Sequence, residues 1–285
     1  MKKLLAMLVA GTMVVSLAAC GGSGTSAQST SQDEGTEAEA PAGDEEAGGQ
    51  TFTVGFDAEY PPYGYLDVET NDYTGFDLEL AEEVCNRRGW KLVKKPINWD
   101  NKDAEIDSGS IDCIWSGMTY TGREEQYTWS DPYVDNTIVI AVAADSDIKT
   151  LDDLAGKVVI TQSESSALTA LESDELANLT SSFADLQQSP SYNTCFQDLE
   201  AGAVEAIAVD VGPARAQIAK SPDKFRMLDE PISSEQLGVA FKLGNTELRD
   251  QVQETLDEMI ADGTFLEIAN HYADDNIPDM VILKK

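Results

Sequence analysis

The chain has 285 residues, 42% of them hydrophobic, with 19 basic and 52 acidic side chains and a formal net charge of −33. That length supports one large domain or two ordinary ones with a sizeable core. The charge all but excludes nucleic-acid binding, which depends on Lys and Arg displacing counterions from phosphates. A single histidine, His271, excludes zinc sites of the multi-histidine kind.

The first element in chain order is an address. Lys2 and Lys3 precede an apolar run from Leu4 to Leu17, the pattern of a secretory signal and too short for a membrane-spanning helix. Its end, Leu17-Ala18-Ala19-Cys20, resembles a bacterial lipobox. Residues 1–19 are therefore expected to be removed and Cys20 to be lipidated, the alternative being a plain secretory signal with an incidental Cys. Residues 20–50 contain no aromatic and no basic residue, but seven acidic residues and abundant Gly, Ser, Thr and Ala. Such a segment cannot bury enough apolar surface to fold, and reads as a spacer.

From Thr51 onward, strand and helix patterns alternate. Thr51 to Phe56 reads as a strand and Pro61-Pro62 as a loop. Phe76, Leu80 and Val84, with Leu78, Ala81 and Cys85, give one apolar helix face that Gly89 should stop. Strands are expected at Lys91–Ile97, Ile111–Ser116, Asn136–Ala143, Lys157–Thr161, Ala206–Asp210 and Gln236–Phe241. A long amphipathic helix runs through Leu248, Val252, Leu256 and Ile260, and a last one spans about 263–272. This alternation predicts an α/β fold with parallel-rich sheets covered by helices. Ligands of such sheets gather at the C-terminal ends of strands, here the loops after Phe56, Ile97, Ser116, Thr161 and Val209.

Those loops carry a resemblance. Val54-Gly55-Phe56-Asp57 with Tyr60-Pro61-Pro62-Tyr63, Gly75-Phe76-Asp77, Gly109-Ser110-Ile111-Asp112, the run Trp115 to Arg123, Ser130-Asp131-Pro132-Tyr133, Leu199-Glu200-Ala201-Gly202 and Asp262-Gly263-Thr264-Phe265 occur in order across 52–275. In this the chain resembles the bacterial extracellular solute-binding proteins of family 3, the polar amino-acid receptors of ABC importers. The resemblance implies the two-lobed type II periplasmic-binding-protein fold with two interlobe crossings, placed near Val142–Ala144 and Ser233–Gln236. Lobe one would comprise 51–142 and 236–285, and lobe two 143–235. A lipid-anchored, extracytoplasmic monomer would bind a free L-amino acid between lobes and present it to permease subunits, with no cofactor and no metal.

The resemblance also assigns roles. Arg123, after Thr119-Tyr120-Thr121-Gly122, matches the family's carboxylate-binding arginine, whose planar fork suits a carboxylate. Ser165 and Ser166 stand where a helix begins, as second carboxylate candidates or as ordinary caps. Asp210 matches the amine-binding aspartate, with Gly117 and Thr119 beside it. Asp57, Tyr60 and Trp99 are expected around the ligand side chain, the two aromatics by apolar contact and cation–π attraction. Asp57, Glu59 and Glu164 tilt specificity toward basic amino acids, with glutamine and cystine open. Glu164 stands where the family usually has Gly. Some relatives bridge a Cys at the position of Cys85 to one seven residues later, but that position here is Leu92, so Cys85, Cys113 and Cys195 are expected as buried thiols. The alternative function is an enzyme of the dehydratase branch on the same fold, with Glu164 or Glu59 as general acid.

Overall fold

A computed structural model describes residues 49–282; the expected signal, the lipidation site Cys20 and nearly all of the spacer lie outside the described residues. Among the described residues, Thr51–Phe56 is flanked in parallel by Lys91–Pro96 and Cys113–Ile114, and the sheet continues antiparallel through Ala240–Phe241 to Thr128–Trp129. A second sheet has Val158–Gln162 between the parallel strands Asp185–Ser189 and Ala206–Asp210. It extends antiparallel through the ten-residue strand Val134–Ala143, which also pairs with Phe225–Met227 and Ser233–Leu237. A small antiparallel sheet of Glu59–Tyr60, Gly64–Asp67 and Asp72–Thr74 follows the first strand.

Local sequence explains the regular elements. Helix Phe76–Arg88 buries Phe76, Leu80, Ala81, Val84 and Cys85, ends on the left-handed Gly89, and carries Arg87 and Arg88 at its negative C-terminal pole. Both arginines also reach other helical segments, Arg87 pairing with Asp262 and Arg88 with Glu254 at 2.7 Å each. Helix Thr246–Asp262 lays Leu248, Val252, Leu256 and Met259 on the core. Every residue of Ala206–Asp210 is buried, as befits a central strand covered on both faces.

Several expected bounds shift for visible reasons. The strand expected at Ile111–Ser116 pairs only at Cys113–Ile114, because the chain then turns into the loop of Gly117. The run Gln236–Phe241 divides, its first part joining the second sheet and Ala240–Phe241 the first. The amides of Gly238 and Val239, in the gap, are taken by Met118 O and Ser130 Oγ. Val134–Ala143 pairs with second-sheet strands from its first residue, Val134 opposite Leu237. By strand pairing, then, the chain leaves the first sheet ahead of Val134, upstream of the expected crossing near Val142–Ala144. Cys85, Cys113 and Cys195 are buried free thiols, as read, and exposed His271 meets Glu79 at 2.8 Å.

One buried acid ties the fold to the loop of Gly117. Asp77 accepts from the Gly117 N–H at 2.6 Å and from the Tyr133 hydroxyl at 2.7 Å, and burial pushes its carboxyl up to about 7. A folded-state value above the unfolded one means that the native protein holds a proton which the unfolded chain has lost. The resulting stability is complete below about pH 4 and disappears as pH rises through about 7. Wild type should therefore gain a few kcal/mol over Asp77→Asn between pH 7 and pH 4. Urea unfolding of both proteins across that range checks this; a pH-independent difference would refute it.

Candidate functional site

The C-terminal ends of parallel strands from both sheets converge. Asp57 follows Thr51–Phe56, Trp99 follows Lys91–Pro96, Ser116 and Gly117 follow Cys113–Ile114, Ser165 follows Val158–Gln162, and Asp210 closes Ala206–Asp210. A small pocket lies among them, lined by all nine residues that the sequence singles out for ligand contact: Asp57, Tyr60, Trp99, Gly117, Thr119, Arg123, Ser165, Ser166 and Asp210. Ser116, Gln162 and Tyr192 complete the lining. Room for water-sized occupants amounts to only about 10 Å³, far below the roughly 300–1,000 Å³ of small-molecule sites, so the cleft is shut and must open to admit a ligand.

Arg123 is 9% exposed. Its guanidinium donates to the Glu164 carbonyl at 3.3 Å and lies 3.8 Å from Met118 Sδ. Among the described ion pairs, none joins Arg123 to a carboxylate. The opposite sign is equally bare. Asp210, 1% exposed, accepts from Asn136 Nδ2 at 2.7 Å and the Tyr192 hydroxyl at 3.2 Å, again with no cation in those pairs. Burial raises its carboxyl above the ordinary range. Behind it, Glu235 accepts from the same Asn136 nitrogen at 2.8 Å, from Thr119 Oγ1 at 3.0 Å and from Ser166 Oγ at 3.3 Å.

Asp57 is the other buried acid of the lining. Its carboxylate takes the Gln162 amide at 2.9 Å and the Glu59 N–H at 2.9 Å, and burial raises its pKa despite both bonds. Tyr60 stacks on Tyr63 with centroids 5.7 Å apart and leans on Tyr192 at 6.1 Å. Gly117 has φ +58, and a Cβ there would come within 2.6 Å of the Tyr60 ring, so glycine alone lets this loop pass behind the aromatic. Ser165 is the N-cap of Ser166–Leu171, accepting from Leu168 N at 3.1 Å. Its hydroxyl donates to the Gln162 carbonyl at 2.7 Å, so what this turn offers a ligand is chiefly its first N–H groups.

Glu164 resolves differently from its acidic character. It adopts φ +55, which explains why a glycine suits this position, and its side chain is 60% exposed rather than in the lining. Its backbone carbonyl instead joins the two sides of the cleft by accepting from Trp99 Nε1 and Arg123, both at 3.3 Å. Its carboxylate lies 3.7 Å from Lys102 Nζ, an almost fully buried amine 5.5 Å over the Trp99 ring. Neighbouring Ser163 donates to Asp100 at 2.6 Å, so the lip of the cleft is held shut at several points. Glu59 is exposed as well, leaving Asp57 as the one acid behind the basic tilt that reaches the lining.

Besides Ser116, which the sequence placed only as a strand end, four contributors escape the sequence reading. Gln162 ends its strand and could have been found by the strand-end rule that found Asp210. Tyr192 opens helix Tyr192–Glu200, whose polar neighbours hide it. Asn136 and Glu235 sit on paired strands and carry no local signal, an acid being commonplace in this chain.

The chain is similar to known proteins. Residues 52–275 match the family profile described as bacterial extracellular solute-binding proteins, family 3. The L-cystine-binding protein TcyJ of Escherichia coli strain K12 is 30% identical over 217 residues, 75% of this chain and 79% of that protein. The L-cystine-binding protein TcyA of Bacillus subtilis strain 168 is 29% identical over 97% of this chain and 99% of its own. Among solved structures, an ancestral arginine-binding protein bound to arginine superimposes with a TM-score of 0.72 at 32% identity, covering 78% of this chain and 97% of that one.

The left-handed backbone at Glu164 yields a prediction. Glu164→Gly should be more stable than Glu164→Ala by about 1 kcal/mol, because both lose the ion pair with Lys102 but only Ala keeps a Cβ in a left-handed conformation. Chemical unfolding of the two variants measures the difference, and equal stabilities would contradict it.

Proposed function

The chain belongs to the bacterial extracellular solute-binding proteins of family 3, and from that premise we propose that it binds one polar L-amino acid in this cavity and delivers it to the permease of an ABC importer. The observation that carries the reading is the pair of unmatched buried charges. Among the described residues, a guanidinium without a carboxylate and a carboxylate without a cation border the same small cavity, and a free amino acid brings both missing partners. In this reading Arg123 takes the ligand carboxylate, with the first N–H groups at Ser165 and Ser166 beside it. Asp210 takes the ammonium, helped by the Gly117 carbonyl and the Thr119 hydroxyl. Tyr60 and Trp99 cover the aliphatic stem.

Asp57 favours a side chain that ends in an N–H donor. The second ammonium of cystine, the guanidinium of arginine and the amide of glutamine all answer it. The two cystine-binding relatives and the arginine-bound structure support this class of ligand. The cleft-enzyme alternative loses support, since Glu59 and Glu164, its general-acid candidates, stand outside the lining. The lobes, in the proposed mechanism, open to admit the ligand and close over it, a population shift that the permease reads. Among the described residues no helix is long and apolar enough to cross a membrane; we assign attachment to the cell membrane to a lipidated Cys20 and treat the receptor as a monomer.

Thermal unfolding against the twenty L-amino acids, ornithine and cystine tests the reading. A ligand at about 100 times its dissociation constant should stabilise by about 2.7 kcal/mol, and the absence of any shift in folded, ligand-free protein would overturn the receptor. Arg123→Ala should weaken binding by at least about 2 kcal/mol, roughly thirtyfold. Undiminished affinity in that variant would remove Arg123 from the carboxylate end.

A further inference from the structure

Asp210 and Glu235 form a buried acid pair of unusual arrangement. A single nitrogen, Asn136 Nδ2, donates to both, at 2.7 and 2.8 Å, which fixes the two carboxyl groups side by side. Both are more than nine-tenths buried. The two carboxyl groups also hydrogen-bond each other, and their other donors are neutral: Tyr60 and Tyr192 on Asp210, and Thr119 and Ser166 on Glu235. Asn136 Oδ1, itself buried, has no hydrogen-bond partner. The charged and titratable groups around the pair come from several elements. Tyr60, Tyr63 and Tyr192 face it as phenols kept neutral by burial. Arg123 and Glu175 border one surface cleft with Glu235, while Asp135 and Arg215 border another. Neither arginine pairs with Asp210 or Glu235 among the described ion pairs.

Two negative charges held together in a low-dielectric interior without a cation cannot both persist, so the pair retains a proton between them. Burial, then the charge of Asp210, pushes Glu235 up to about 8. An ammonium arriving at Asp210 supplies the missing cation and removes the reason for keeping that proton.

We propose that ligand binding expels the proton shared by Asp210 and Glu235, which makes the receptor exchange one proton for each amino acid bound, with Glu235 as the positioning residue that stores it. The inference rests on Asp210 receiving the ligand ammonium. In the step, the carboxyl O–H bond breaks and its proton passes to water through a cleft that Glu235 borders. The ligand keeps all its N–H bonds and donates to the freed carboxylates, so no oxidation or reduction occurs. Because protons compete with the ligand, acidification should weaken binding, approaching tenfold per pH unit below the apparent value of the pair.

Isothermal titration of the protein with L-arginine, L-glutamine and L-cystine at pH 6.5, in two buffers of different ionisation enthalpy, tests this. The expected result is about one proton released per ligand bound, with affinity rising toward pH 8.5. Glu235→Gln should still bind, with proton release close to zero and affinity nearly independent of pH; a merely structural role would change affinity equally at every pH and leave the proton count intact. Buffer-independent heats in the wild type, or an unchanged count in Glu235→Gln, would overturn the proton exchange while leaving the receptor standing. Binding of none of the three would remove the premise and the inference together. Should Glu235→Gln not fold, the wild-type comparison between buffers decides alone.

Discussion

Removing a charge from water costs several kcal/mol even after the protein relaxes around it, and that cost is ordinarily met by an opposite charge. Arg123 and Asp210 each leave it unmet within the described residues, and the surrounding structure is organised around that condition. Among the described residues, the Arg123 guanidinium has a carbonyl oxygen and a sulfur as its hydrogen-bond partners. Asp210 has an amide and two phenols, Tyr60 and Tyr192, with a second acid behind it. Neutral dipoles hold these groups in place without neutralising them. A rigid fold must supply the geometry, since flexible side chains would move to find partners or water.

The fold supplies it by aiming two sheets at one point. Parallel strands end in loops that carry the polar groups, and the antiparallel strands Val134–Ala143 and Ser233–Leu237 bring Asn136 and Glu235 up behind Asp210. Asp77 extends the same logic into the first sheet, fixing Gly117 by accepting its N–H from within the core. Glu164 contributes through its backbone, whose left-handed turn lets one carbonyl receive both Trp99 and Arg123. Its charge is spent outside, on Lys102. An acid that looks like a specificity determinant in sequence is thus a carbonyl that bridges the cleft in space.

Legibility followed the strength of local signals. Thr51–Phe56 and Ala206–Asp210 were readable as strands, and Phe76–Arg88 as a helix, because apolar periodicity and a terminal Gly agree there. Asp185–Ser189 was not, being a polar strand at a sheet edge whose pairing with Val158–Gln162 is the only reason it is extended. Two-residue strands such as Cys113–Ile114 are defined by their partners and have no pattern of their own to read. The nine lining residues were found through strand ends and motif order, whereas Tyr192, Asn136 and Glu235 enter from elements far away in sequence.

The sequence by itself determined the alternation of the strongly patterned strands and helices, the family, and most of the residues that stand at strand ends, because these depend on neighbours along the chain. Tertiary structure decided which charges lack partners, which way Glu164 points and that Asn136 joins two carboxyl groups. Those properties arise between residues from about 40 to 100 positions apart, where burial and distance set the electrostatics and local pattern has no influence.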